Sequence, residues 1–227
     1  MMTVRTVTAA PKFAALLLGA LVFLAVSAAT PARAGDAAAK LDAGIAEGAH
    51  KFVRVLADRA LDALSKRDMT NLEREAAFRT LFVAHFDVPT IAKWALGRYW
   101  RIATKAEQDE YQAMFEDYIV TTYTNRFRDY TNEHLDVGEV DKIADEDSGL
   151  MVRSLIVRDQ PKPIRVDWRI ASQGGGYKIV DVIVEGVSMV QTQRSEFSSV
   201  ILRGGGKVAG LITELKLKTR SLRAQMN

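Results

Sequence analysis

Between residues 163 and 185 the chain has little choice but to form a β-hairpin. Ile164, Val166, Trp168 and Ile170 alternate with Arg165, Asp167 and Arg169, the two-residue period of a strand with one dry face and one wet face. Gly174, Gly175 and Gly176 follow, and Tyr177, Ile179, Val182 and Val184 carry the chain back. A glycine link this short joins antiparallel neighbours. Residues 135–144 and 150–159 have similar character, with Asp147, Ser148 and Gly149 marking the turn between them. Four strands joined in order predict an antiparallel meander.

Helical signals flank that meander on both sides. Leu41, Ile45, Ala49, Phe52, Leu56 and Ala60 recur at three- and four-residue steps, which places them on one helical face. Thr70 with Glu73, and Thr104 with Glu107, have capping-box spacing, so each pair can satisfy two loose amides at a helix start. The helix after Thr70 carries Phe78, Leu81 and Phe82. Asp87 and Pro89 open a short helix that Gly97 can end in a left-handed turn. After Thr104, Tyr111, Phe115, Tyr118, Thr122, Arg126 and Tyr130 lie along one side of a longer helix, with Met114, Ile119, Tyr123 and Phe127 beside them. A stripe this wide fits a helix packed onto the sheet or, in part, the wall of a ligand cavity. The chain closes in helices interrupted by Gly204, Gly205 and Gly206. The expected class is α+β: a twisted antiparallel sheet of about four strands wrapped by helices.

The N-terminus reads as a leader. Arg5 and Lys12 precede an apolar run over residues 13–29, and Ala32, Arg33 and Ala34 form a small-x-small exit, the parts of a cleaved secretory signal. The expected division is residues 1–34 as signal peptide and 35–227 as one domain, exported to the periplasm. Arg5, Lys12 and Arg33 are three of the 31 basic residues and the leader holds no acid, so the remainder carries 28 basic against 28 acidic residues. The basic balance thus belongs to the leader, and a nucleic-acid partner loses its simplest support. The 227 residues contain no cysteine, which removes disulfides, thiol catalysis and thiolate metal ligands.

Catalytic chemistry is sparse. His50, His85 and His134 have no metal-like spacing. His85 with Asp87 or Asp181 is the one candidate acid–base pairing, but neither a nucleophile nor an oxyanion arrangement accompanies it. No Gly-x-Ser-x-Gly elbow is present, and Ser188, three residues before Gln191, reads as a helix cap. Asp181 lies within the apolar run 179–184, where a charge needs a partner. Arg194, across the turn, is the expected one, as a structural tie. The triple glycines match no nucleotide-binding spacing. No catalytic residue, metal or cofactor is expected.

Several segments, in order, resemble one family. Phe82, Phe86, Asp87 and Pro89 resemble the phenylalanine–aspartate segment before a short helix in MlaC/toluene-tolerance proteins. Leu96, Gly97 and Trp100, followed by the Thr104 capping box, resemble their leucine–glycine–x–x–tryptophan turn. Asp181, Gly186, Ser188, Arg194 and Phe197 resemble their signature, and Gly210 to Leu215 their closing helix. Gln193 stands where the family often has tyrosine. The resemblance implies a deep apolar cavity between sheet and helices. It further implies a periplasmic carrier of phospholipid, or of a hopanoid as in one branch of the family. The implied partners are an inner-membrane ABC transporter complex with a lipid-binding ring subunit and an outer-membrane lipoprotein complex.

Physical chemistry says why such a carrier is needed. A two-chain phospholipid exposes roughly 30 methylenes, and at about 0.8 kcal/mol each their contact with water costs on the order of 20 kcal/mol. The carrier must replace water with apolar side chains and leave a mouth for the head group. The candidates for lipid contact are Phe82, Phe86, Ile91, Trp94, Trp100, Phe115, Ile119, Val152, Ile156, Val166 and Trp168. Each fits a cavity wall or ordinary core, since periodicity does not separate the two. No arginine cluster suggests tight phosphate capture. The tail cations Lys216, Lys218, Arg220 and Arg223 fit an acidic partner, lipid head groups or a solvated helix face.

Overall fold

The computed structural model describes residues 42–225 apart from 65, 67, 128–132, 145–148, 159–161 and 174. The leader over 1–34, Leu41, Tyr130, the turn residues Asp147 and Ser148, and Gly174 lie outside the described residues, as do the side chains of Arg126 and Phe127.

Four helices come first: α1 (Ala43–Leu64), α2 (Asn71–His85), α3 (Val88–Leu96) and, after a 3-10 turn over Gly97–Arg101, α4 (Lys105–Phe127). The strands β1 (His134–Lys142), β2 (Gly149–Val157), β3 (Ile164–Gln173) and β4 (Gly176–Val184) follow, then a two-residue β5 (Val187–Ser188) and the helices α5 (Met189–Arg203) and α6 (Val208–Ala224). The sheet is an antiparallel meander in the order β1-β2-β3-β4-β5. The class is α+β, as the sequence suggests. The fifth strand is the addition: Glu185 and Gly186 both take positive φ, 51° and 82°, which makes a tight two-residue hairpin turn where a simple strand-to-helix turn was expected.

Both capping boxes form. Thr70 Oγ1 accepts from the Glu73 amide while Glu73 accepts from the Thr70 amide. Thr104 and Glu107 repeat the arrangement at the start of α4. These bonds to the charged form hold the Glu73 and Glu107 carboxyls below the ordinary glutamate range. On α1 the buried line is Ala49, Val53, Leu56 and Leu64, whereas Ile45 is exposed.

Register sorts the sheet residues onto two faces. Leu150, Val152, Ser154 and Ile156 stand opposite Ile170, Trp168, Val166 and Ile164, and Val182 and Val184 continue that inner face onto β4. A bulge at Arg169/Ile170 inserts Val180 and turns Asp181 to the outer face beside Arg169.

Two apolar cores result. In the first, α1 packs on the inner sheet face through Ala49, Val53 and Leu56 against Leu150, Val152, Ile170 and Ile179. The second is helical and joins α2, α3, α4, α5 and α6, with Tyr111, Phe115 and Phe197 at its centre. Phe197 meets the other two rings edge-on, at centroid distances of 6.1 and 6.2 Å. The apolar stripe on α4 suits packing on the sheet or, in part, a cavity wall. It packs instead chiefly on α6 and α2, because its aromatic residues find the apolar faces of other helices.

Candidate functional site

The aspartate inside β4 fixes the geometry around it. Asp181 is buried. Its carboxylate accepts from the Ser188 hydroxyl at 2.5 Å, from the Val190 amide at 3.1 Å and from the Val182 amide at 2.8 Å. Ser188 Oγ in turn accepts from the Gln191 amide at 3.0 Å, so it is the helix cap its spacing suggests. Three donors thus hold a negative charge at the positive N-terminal end of α5. The expected Asp181–Arg194 tie is therefore corrected: amides and a hydroxyl meet the charge. Arg194 lies over Gly97 instead, where an added Cβ would stand 2.5 Å from its Nε. Gly97 also takes φ +60°, so glycine is needed there for backbone and for space.

The titratable residues weighed for catalysis each have a local structural partner. His85 Nδ1 is 2.9 Å from the Leu81 carbonyl oxygen, and its ring lies 5.9 Å from that of Phe52. Asp87 Oδ1 accepts from the Thr90 amide at 3.1 Å and caps α3. His50 Nε2 meets the Val137 carbonyl oxygen at 3.0 Å. No group of three or more potential metal ligands occurs among the described residues.

The proposed lipid contacts divide between the two cores. Phe82, Ile91 and Phe115 are buried in the helical core, with Phe86, Trp100 and Ile119 half-buried against it. Val152 is buried in the sheet core, and Trp168 packs at its edge. Phe86 touches both cores and pairs with Phe82 at 4.9 Å between ring centroids. Val166 is buried and Ile156 half-buried farther along the inner sheet face. Trp94 is 39% exposed, with the Arg169 guanidinium 5.9 Å from its ring centroid.

One stretch of the inner sheet face stands apart. α1 packs chiefly on β1 and β2. Beyond it, Ile156, Ile164, Trp168, Val182 and Val184 remain only half-buried. Trp168 is held there by its indole N–H, which donates to Ser154 Oγ at 2.9 Å, while Ser154 donates to the Val166 carbonyl at 2.6 Å. The Tyr123 hydroxyl lies 4.0 Å from Met189 Sδ, which brings the second half of α4 to the β4–β5 end of this strip. In that half of α4, the Thr121 and Thr122 hydroxyl oxygens are enclosed without a partner among the described residues. Sequence reasoning missed Ile164, Val182 and Val184, although their alternation was visible.

A separate cleft of about 540 Å³ opens between the α2–α3 junction, α4 and Lys178. Of the proposed contacts only Phe86 lines it, and Asp87, Asp109 and Glu116 share its walls. Carboxylates there make it unsuited to acyl tails.

A meander sheet with one helix on its inner face and a five-helix core beside it defines an α+β protein with a partly covered apolar sheet. The chain belongs to the MlaC family: the family model described as MlaC protein matches residues 54–217. Among solved structures, the fold is similar to that of a phospholipid-binding protein from Ralstonia solanacearum in complex with a phospholipid. The TM-score is 0.68 at 24% identity, over 77% of this chain and 98% of the other.

Proposed function

We propose that this protein is a periplasmic lipid-binding carrier that moves phospholipid between the outer and inner membranes, and not an enzyme. The observation that carries the reading is family membership across residues 54–217. Support comes from a fold shared over 98% of a protein that was solved with phospholipid bound.

In this reading the acyl tails lie along the half-buried strip of Ile156, Ile164, Trp168, Val182 and Val184, with Phe86 and Ile119 toward the helical side. Aliphatic and aromatic walls replace water around the methylenes, so the on-the-order-of-20 kcal/mol exposure cost does not arise. The buried residues among the candidates, Phe82, Ile91, Phe115, Val152 and Val166, hold the walls in place. The leader over 1–34 directs export and is removed. An inner-membrane ABC transporter with its lipid-binding ring subunit and an outer-membrane lipoprotein complex are the two partners between which it shuttles.

Native mass spectrometry of the purified protein, with solvent extraction of what it carries, tests the proposal. A stoichiometric two-chain phospholipid is the expected result. A hopanoid mass redirects the cargo while keeping the carrier. Protein that is empty as isolated and takes up no lipid from vesicles overturns the reading.

A further inference from the structure

The strongest unassigned feature lies where α4 and α6 begin. These helices run parallel: Glu110 meets Lys216, Asp117 meets Arg223, and the Glu107 carboxylate is held low in part by the Ala209 amide. Their N-termini therefore share one end of the molecule. The turn into α4 and the α5–α6 turn meet there, since Tyr99, Trp100, Ala103, Val200, Ile201 and Val208 belong to one apolar core.

The composition of those two turns is one-sided. Residues 97–105 and 202–210 hold Arg98, Arg101, Lys105, Arg203 and Lys207 and no acid. Arg101, Arg203 and Lys207 are exposed, and Lys105 pairs with Asp109 on its own helix. Two large apolar side chains project from the same turns: Ile102 is 68% exposed and Leu202 61%. The nearest acid is Glu107, whose carboxylate is taken up by the Thr104 and Ala209 amides at the starts of α4 and α6, which leaves the cations of the two turns facing outward. Gly205 and Gly206, at φ 75° and 80°, present bare backbone beside Leu202.

We propose that this end docks on an anionic membrane surface. Cations attract acidic lipid head groups within a Debye length, and projecting aliphatic side chains enter the head-group–acyl boundary. A protein groove would need acids facing these cations and a pocket for each side chain; a lipid interface needs only negative charge and an apolar layer. The inference uses the surface alone and stands whatever the cargo proves to be.

Vesicle flotation of the purified protein tests it. The vesicles are phosphatidylcholine alone or with phosphatidylglycerol, at low salt and at about 0.15 M salt. Binding is expected only with phosphatidylglycerol and is expected to weaken with salt. Each cation removed from the end should weaken partition roughly fivefold, so Arg203→Glu with Lys207→Glu should reduce it at least about 25-fold. Ile102→Ser with Leu202→Ser should weaken binding while leaving the salt dependence intact. The control pair Lys51→Glu with Lys142→Glu, exposed cations on α1 and β1, should bind as the parent does. Parent and variants are purified in the exported form without the leader over 1–34, so its apolar run does not bind the vesicles. All four changed positions at the docking end are exposed, and circular dichroism verifies the fold. Binding that ignores phosphatidylglycerol, or is lost equally in the control pair, or survives all four substitutions, overturns the proposal. Absence of flotation by the parent protein overturns it too and leaves the patch to a protein partner.

Discussion

The helical core and the sheet core are built to different standards of closure. Among the described residues, the helical core has 17 buried members with 8 half-buried against it, whereas the sheet core has 7 buried and 9 half-buried. The helical side is therefore filled, and its interlocked Tyr111, Phe115 and Phe197 are what such filling looks like. On the sheet side α1, with Leu81 of α2 and Phe86 beside it, covers only part of an apolar face. A protein that had to stabilise itself by that face alone would have covered it. On the proposed reading the difference divides stability and ligand capacity between the two regions, with Phe86 the ring that touches both.

Truncating the helical core is the hardest test of that division. Phe115→Ala should cost about 3–5 kcal/mol in urea unfolding, while the molecules that stay folded retain lipid. Equal loss of lipid per folded molecule would break the comparison. Next in size, Gly97→Ala should cost roughly 1–3 kcal/mol, from the positive φ and from the collision with Arg194. Adding Arg194→Ala should recover the steric part and leave the backbone part. On the sheet side, Trp168→Ala should cost only about 1–2 kcal/mol, because the residue is half-buried. It should nonetheless reduce co-purified lipid severalfold by mass spectrometry, the reverse of the Phe115 pattern.

The smallest expected effect concerns the caps. Hydrogen bonds from Thr70 and Thr104 lower the folded-state pKa of Glu73 and Glu107. Their contribution is thus complete above the ordinary value of 4.5 and is lost as pH falls through the lowered values. Glu73→Gln with Glu107→Gln should lower the thermal midpoint slightly at about pH 7, by an amount that shrinks as the pH falls below 4.5. A difference that persists in acid would assign the effect to something other than the caps.

Much of the architecture was legible because local rules govern it. The capping boxes, the alternating strand at 164–170 and the short helix from Asp87 need only neighbours in sequence. What failed needed partners distant in sequence. Periodicity says that α4 has an apolar face but not that α5 and α6 return to meet it. Asp181 was known to require compensation, yet an arginine was expected where backbone amides at a helix start do the work. The proposed contacts mixed two cores for the same reason: Phe82 and Val152 are equally apolar, and only the register and the helix packing separate them. The half-covered strip was visible as alternation, but which end of it α1 leaves open was not.

The first strand of the meander has a consequence for crowded surroundings. β1 lies at the margin of the sheet, and such a margin offers unsatisfied amides and carbonyls to any passing chain. Its irregularity between Val137 and Val140 breaks the ladder, His50 occupies the Val137 carbonyl, and Asp136 and Glu139 point outward. Two molecules meeting there would bring like charges together across a kinked seam. A half-covered greasy sheet can therefore exist at high concentration without zipping into filaments.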